Sequence, residues 1–332
     1  MGDVALSVPV VHALSVQHPE VGVCVLTQPK FFPLFSGIPR VELYALETRG
    51  IHRGFWGIRR LAHDLRKHQW TAVVDAHNVL RTRLLRFWMG DAAPWFVLDK
   101  GRADKRALIR KRGKIFRPLS HATDRYADLC VQAGFNIALG REACLPKPNR
   151  PEDMEGNDTG FWVGVAPFAA HQTKQYPWGA LIDALTAIQE QAADRPIRFV
   201  FFGGGSRELM MIEELVEGFE HSTHTLNAPV ETQLAWAAHL DVMLAMDSAN
   251  GHLAAMYGVP VVTLWGQTHP YAGFAPFLQP MERQIIPDRA QYPLLPTSIF
   301  GKNGHKPYAR VMESIAPERV AEVVINTLNS PD

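Results

Sequence analysis

The stretch Asp247-Ser-Ala-Asn-Gly-His-Leu-Ala-Ala-Met-Tyr-Gly-Val-Pro-Val-Val-Thr-Leu-Trp-Gly-Gln-Thr-His-Pro270 decides how this chain is read. Just before it, Val242-Met-Leu-Ala-Met246 is apolar throughout and long enough for a strand buried on both faces. Asp247 is of a type that caps helix N-termini, and so is Ser248. Small residues then let a ligand approach the backbone. A helix starting there offers unpaired amides and a partial positive charge, which suits an anion such as a diphosphate. Gly258 breaks the helix, and Val259-Pro-Val-Val-Thr-Leu-Trp265 reads as the next parallel strand. Gly266-Gln-Thr-His-Pro270 follows as a second polar loop, at the carboxyl end of a strand, where open α/β sheets bind ligands. The same residues also compose an ordinary βαβ unit with turn residues.

Outward from this run the alternation of short strands and helices continues. Upstream, strands are expected at residues 161–167, 197–202 and 223–225, and downstream a closing helix at 317–328. A Pro- and Gly-rich linker separates this series from an earlier one, with Pro146, Pro148, Pro151, Gly156, Asn157 and Asp158 marking residues 145–160. In the earlier series, residues 21–27 and 41–45 read as strands, 71–77 as a buried strand ending in polar residues, and 95–98 as a further short strand. Helices are expected with Trp56, Ile58, Leu61 and Leu65 on one, with Arg81 and Arg83 on the next, and over 121–134. This argues two Rossmann-like α/β domains with a cleft between them, 1–150 and 161–332, with the last helix packing back on the first domain.

The beginning is unusual. Met1-Gly-Asp3 leads directly into a helix containing Pro9, whereas such a turn normally follows a strand. Either the fold lacks that strand or the true start lies upstream. A doubly wound sheet places its first strand centrally, so its absence is expected to cost stability.

Composition narrows the class. The chain has 332 residues, 47% hydrophobic and 20% charged, as expected for a soluble globular protein of two domains. The net charge of +1 gives no global pull toward nucleic acid. Basic charge is concentrated locally, in the run from Arg102 to Arg117, which reads as a solvated helix face or a patch for anionic groups. Cys24, Cys130 and Cys144 have no metal-ligand spacing and indicate buried thiols in a reducing compartment. No signal peptide and no apolar run of 18 residues is present, so the chain is expected neither to be secreted by that route nor to span a membrane, and contact with a membrane surface stays open.

Four places carry candidate chemistry. Asp3 is a carboxylate able to accept a proton from an attacking hydroxyl, or a plain helix cap. Lys174, after the first strand of the second series, is either a phosphate-binding point charge or a surface lysine. Gly203-Gly-Gly-Ser-Arg-Glu208 follows a strand and opens a helix, but Glu208 stands where a dinucleotide fingerprint needs glycine. His252 either faces an anion or fills the core. No Asp-x-Asp pair, His-Glu-x-x-His or paired cysteines point to a metal, and no cofactor is implied.

Taken in order, these motifs resemble glycosyltransferase family 9, the ADP-heptose:lipopolysaccharide heptosyltransferases. Met1-Gly-Asp-Val with Pro9 resembles its Gly-Asp loop, Lys174-Gln-Tyr-Pro177 its Lys-x-aromatic-Pro signature, and Phe202-Gly-Gly-Gly with Glu208 its glycine loop. Asp247-Ser-Ala-Asn-Gly-His-Leu-Ala254 with Gly266-Gln-Thr-His-Pro270 resembles its Asp-Thr-Gly-x-x-His-Leu-Ala and Gly-x-Thr-x-Pro pair. The resemblance implies a GT-B fold and an inverting, metal-independent transfer of a sugar, heptose by family, to a lipopolysaccharide core or related phosphorylated lipid-linked glycan. It implies Asp3 as the general base. It implies Lys174, Gly204, Glu208, Asp247, Ser248, Ala249, Asn250, Gly251, His252 and Thr268 around an ADP-heptose donor. Asn78, Arg81 and Arg83 are the acceptor-side candidates. Ala249 departs from the family glycine, with Gly251 close enough to compensate. Phe87, Trp88, Trp95 and Phe96 are placed either near a membrane or in the core. The competing readings are a nucleotide-sugar epimerase or hydrolase of the same fold, and a non-catalytic glycan-binding protein.

Overall fold

The computed structural model describes residues 1–154, 160–192 and 195–330. Gly156, Asn157 and Asp158 of the expected linker lie outside the described residues. The chain forms two compact units. The first gathers Asp3–Arg102 and Ser120–Leu145, and the second gathers Ala103–Leu119 and everything from Pro146 onward.

In the first unit, helix α1 (Gly2–Gln17) runs straight through Pro9. Its apolar residues are not confined to one stripe, and Ala5, Leu6, Val8, Val10 and Ala13 are all buried, the mark of a helix enclosed on most sides. Strand β1 (Val23–Thr27) pairs in parallel with β2 (Val41–Ala45). Helix α2 (Gly54–Leu65) follows, then β3 (Val73–Asp75), α3 (Leu80–Met89) and β4 (Trp95–Val97). Strands β3 and β4 pair in parallel. Ile58, Leu61 and Leu65 of α2 meet Leu85 and Met89 of α3 in a small core.

The expected single sheet is absent here. Strands β1–β2 and β3–β4 are two separate two-stranded sheets, and no strand among the described residues joins them. The strand expected over 71–77 shrinks to three residues, and Val74 on it is exposed, so it is not the buried strand its apolar sequence implies. A central strand needs neighbours on both edges to bury both faces, and β3 has a partner on one edge only.

Helix α4 (Arg102–Ile109) holds only the start of the basic run, Arg110 to Arg117 being non-helical rather than the helix face expected, and α5 (Ala122–Gln132) returns to the first unit. The basic run does not stay with the acceptor half. Residues Ala103–Leu119 belong to the second unit. There the Lys114 ammonium turns inward, donating to the carbonyls of Leu108 and Pro296 at 2.7 Å each. Burial lowers its pKa to about 8, helped by the Arg289 charge.

The second unit is one six-stranded parallel sheet. Its elements in order are β5 (Phe161–Ala166), α6 (Trp178–Gln191), β6 (Ile197–Phe201), α7 (Ser206–Gly218), β7 (Thr223–His224) and α8 (Val230–Ala238). Then come β8 (Val242–Met246), α9 (Ala249–Ala255), β9 (Val261–Leu264), β10 (Gln284–Ile285) and α10 (Pro317–Asn329). The strand order is β10-β9-β8-β5-β6-β7. Counted from β5, this is the doubly wound order of a Rossmann sheet, and its topological switch point lies between β5 and β8. Every residue of β8 and β9 is buried, as continuous apolar runs in the middle of a parallel sheet require. Helix α10 packs on α6 within this unit, Val320 and Val324 joining Leu181, Leu185 and Ile188 in one core. Each such side chain contributes about 1.5–3 kcal/mol on burial.

Of the three free cysteines only Cys130 is buried, its thiol pushed up to about 11 by desolvation. Cys24 and Cys144 are half-buried, so the expectation of three buried thiols holds for one.

Candidate functional site

Two loops leave the carboxyl ends of β5 and β8, the strands flanking the switch point. The first carries Lys174. Its shape is fixed by its own neighbours: the Gln175 amide donates to the Pro167 carbonyl and accepts from the Ala169 N–H at 3.1 Å, tying both ends of the loop together. Tyr176 is buried in the core and its hydroxyl donates to the Ile315 carbonyl at 2.7 Å. Pro177 then precedes α6. The motif Lys-Gln-Tyr-Pro is thus an anchored turn that holds out one lysine.

The second loop carries Asp247, and the structure brings the two residues together. Lys174 Nζ lies 3.2 Å from Asp247 Oδ2, with both side chains only 11% exposed. Thr268, from the loop after β9, donates its hydroxyl to the same oxygen at 2.8 Å. Asp247 accordingly does not cap a helix. Ser248 occupies the N-cap position of α9, and its Oγ is buried without a hydrogen-bond partner among the described residues. Asp247 is drawn away because a nearly buried carboxylate gains more from an ammonium partner than from a backbone amide. It takes up one of the three ammonium donors and leaves the others for a second acceptor.

The remaining donor candidates divide by position. Ala249 and Asn250 are half-buried at the start of α9, while Gly251 and His252 are buried. Gly251 serves packing: a Cβ there would lie 3.3 Å from Val261 and 3.4 Å from Ala245. It lets α9 sit close on β8 and β9, so its lack of a side chain does not stand in for the missing glycine at 249. Glu208 accepts from the Gly204 N–H at 2.8 Å and closes its own loop. Gly205, at φ +97°, supplies the left-handed turn that starts α7.

Sequence reasoning passed over Gln267, although it was in plain view inside Gly-Gln-Thr-His-Pro. Gln267 is buried. Its carbonyl oxygen accepts from the Thr297 hydroxyl at 2.6 Å and from the His305 N–H, and its amide donates to the Tyr308 carbonyl at 3.0 Å. Its backbone N–H donates to the Thr173 carbonyl at 2.9 Å. It therefore pins the segment 297–308 beside Lys174. In that segment Gly301 (φ +84°) lies directly against the Lys174 methylenes, with the Thr173 hydroxyl donating to its carbonyl. We expect Gln267→Leu to lower stability by about 2–4 kcal/mol, because buried partners lose their bonds. Urea unfolding of the two proteins measures it.

His269, in the same loop, is buried and its Nδ1 accepts from the Tyr271 N–H at 3.0 Å. Desolvation, then the Arg289 and Lys114 charges, lower its pKa to about 3. The unfolded chain takes up this proton near pH 6.5, the folded chain only near 3. Its contribution is full above pH 6.5 and lost as pH falls toward 3, by at most about 1.4 kcal/mol per unit. Urea midpoints at pH 7, 6 and 5 will show that slope. His269→Asn, which keeps an acceptor for the Tyr271 N–H, is expected to flatten it.

In the first unit, Asp3 is exposed in the first turn of α1, with Met1 rather than Asp3 at the N-cap. Tyr126 is buried nearby, and desolvation together with the Asp3 charge pushes its hydroxyl up to about 12. Asn78 follows β3 in a left-handed conformation, φ 44°. Its Nδ2 donates to the Leu98 carbonyl at 2.8 Å, and its Oδ1 accepts from Arg83 Nε at 3.2 Å. Arg81 and Arg83 are exposed on α3. Phe96 is half-buried, and so is Trp88. No group of three or more His, Cys, Asp or Glu among the described residues is placed to hold a metal ion.

The sequence profile of glycosyltransferase family 9 (heptosyltransferase) matches residues 58–292. The chain belongs to glycosyltransferase family 9. The fold of this family 9 enzyme is that of solved members. The glycosyl transferase family 9 structure from Veillonella parvula DSM 2008 has a TM-score of 0.72 at 19% identity, covering 99% of this chain and 94% of that one. E. coli heptosyltransferase WaaC, solved with ADP, has a TM-score of 0.68 at 16% identity over 98% and 97% of the chains. E. coli ADP-heptose lps heptosyltransferase II has a TM-score of 0.59 at 17% identity over 98% and 94%. At such identities the likeness establishes the fold, GT-B in type. None of the curated protein sequences matches the chain.

Proposed function

We propose that this family 9 glycosyltransferase transfers heptose from ADP-heptose to a phosphorylated, lipid-linked lipopolysaccharide core, with inversion and without a metal ion, at the inner face of the inner membrane. The observation that carries the donor side of this reading is the Lys174–Asp247–Thr268 arrangement at the switch point of the second unit. That is where doubly wound sheets hold phosphorylated ligands. The ammonium takes the charge that develops on the leaving ADP, and the backbone amides at 248–251 assist it. Asp247 and Thr268 fix the lysine's direction. In the step itself, the acceptor oxygen bonds to the anomeric carbon as the bond from that carbon to the diphosphate oxygen breaks. The electron pair leaves with ADP and the acceptor proton passes to the Asp3 carboxylate. Asn78, Arg81 and Arg83 are the acceptor-side cations and donors.

The test is ADP release from ADP-heptose with and without a lipopolysaccharide core acceptor. Release that requires acceptor, with a heptosylated product and β/α configuration inverted relative to donor, is the expected result. Release at the same rate without acceptor points instead to a hydrolase or epimerase. We also expect transfer to proceed within twofold of its normal rate in excess EDTA. A loss restored by a divalent cation would remove the metal-free assignment.

A further inference from the structure

We propose that the outer face of the α2–α3 hairpin in the first unit is the surface by which the enzyme docks on an anionic bilayer. The proposal deepens the reading of a lipid-linked acceptor by assigning the membrane contact to particular residues.

The two helices use their inner faces to build a core, Ile58, Leu61 and Leu65 against Leu85 and Met89. Their outer face is aromatic and basic. Trp56 is 69% exposed and Phe87 71% exposed. They are not isolated. Phe55 meets Trp56 edge-on at 5.4 Å and Trp88 at 5.3 Å, and Phe87 meets Trp88 at 5.1 Å, so four rings run continuously across the hairpin. The Arg59 guanidinium lies over both indoles, 5.6 Å from the Trp56 ring centre and 5.3 Å from that of Trp88. A contiguous exposed aromatic patch of this kind marks an interaction site.

Charge selects the partner. Residues 53–91 contain eight Lys and Arg against three Asp and Glu. Of the three acids, Asp64 is paired with Lys67 at 2.6 Å, and Asp75 is buried with its carboxylate accepting the N–H groups of His77 and Asn78. The third, Asp91, is exposed beside Arg83 and Arg86, and the segment keeps an excess of five positive charges. A second copy docking through the same face would set that positive field against itself, which opposes a two-fold dimer. An anionic lipid surface meets both features. Tryptophan and phenylalanine settle at the headgroup boundary and arginines pair with lipid phosphates. A shallow depression with Arg83, Arg86, Phe87 and Trp95 in its lining adjoins the patch, and one carboxylate, Asp91, lines it beside the two arginines. With 12 and 10 residues, α2 and α3 are too short to span a bilayer, so contact is by side chains lying in the interface.

The experiment is co-sedimentation of the full chain with phosphatidylcholine vesicles and with vesicles of phosphatidylcholine and phosphatidylglycerol at 7:3 (about a one-third anionic surface). We expect binding to the anionic vesicles, weakened by salt, and little to the neutral ones. Trp56→Ser/Phe87→Ser, both at exposed positions, should bind at least about tenfold more weakly while keeping its circular dichroism and its turnover of a delipidated acceptor within twofold. Arg59→Gln/Arg60→Gln should reduce the salt dependence. Equal binding of the double aromatic variant and the parent, or no binding of the parent to anionic vesicles, overturns the proposal. A parent dimer that dissociates in the aromatic variant overturns it too, making the patch a contact between copies. Vesicle binding is read without donor or acceptor. A chain that binds vesicles but transfers no sugar would therefore refute the proposed function and leave the docking surface standing.

Discussion

Asp3→Asn is expected to lower kcat between about a hundredfold and ten-thousandfold, the range by which a positioned general base accelerates proton transfer. Donor affinity should be unchanged, because Asp3 lies in the first unit and the donor candidates in the second. The variant is structurally mild. Asp3 is exposed, and among the described residues its side chain makes no hydrogen bond or ion pair. Its structural contribution is the favourable interaction of a carboxylate with the N-terminus of α1, about 0.3–1 kcal/mol. A thermal midpoint close to the parent's, with kcat gone, is thus the signature of a chemical role. A variant with parental kcat would return Asp3 to the role of a helix-terminus carboxylate and leave the base unassigned.

Lys174→Met is expected to reduce kcat/KM by about a hundredfold to a thousandfold, the cost of losing one donor aimed at developing charge. It is also expected to destabilise the fold by about 3–5 kcal/mol. Removing one partner of a nearly buried pair leaves the other charge uncompensated, with only the Thr268 hydroxyl still on Asp247. The two effects separate in the double variant Lys174→Met/Asp247→Asn. It should recover most of the stability, since no lone carboxylate remains, and none of the activity. If the double variant recovered activity along with stability, the lysine would be a structural pair and not a phosphate ligand. Urea unfolding and ADP release on the same preparations give both readouts.

Much of the second unit was legible in the sequence. The run Val242–Met246 became a fully buried strand, the helix after it ended before Gly258, and Gly258 takes φ +78° as a helix-breaking glycine should. The lysine turn was legible only as a motif resembling the family's: Gln175 bonds within its own loop, but Tyr176 is anchored on the Ile315 carbonyl, which local sequence does not reveal. The first unit was read less well. Apolar periodicity at 71–77 indicated a buried strand, yet burial depends on which strands lie alongside, and here the two pairs are separate. The basic run at 102–117 was placed with the residues before it, because charge spacing carries no information about which core the segment joins.

The sequence by itself determined the local units of the second half: which stretches form strands and helices, which turns need glycine, and the resemblance of the ordered motifs to family 9. These follow from backbone preference and periodicity over a few residues. Only the tertiary structure decided that Lys174 meets Asp247, that Thr268 rather than a helix amide completes the trio, and that Gln267 pins the segment carrying Gly301 beside the lysine. Those contacts join loops distant in the chain, and they exist because the sheet order puts β5 next to β8. Strand order is set by how buried faces pack across the whole unit, a property that no stretch of sequence holds alone.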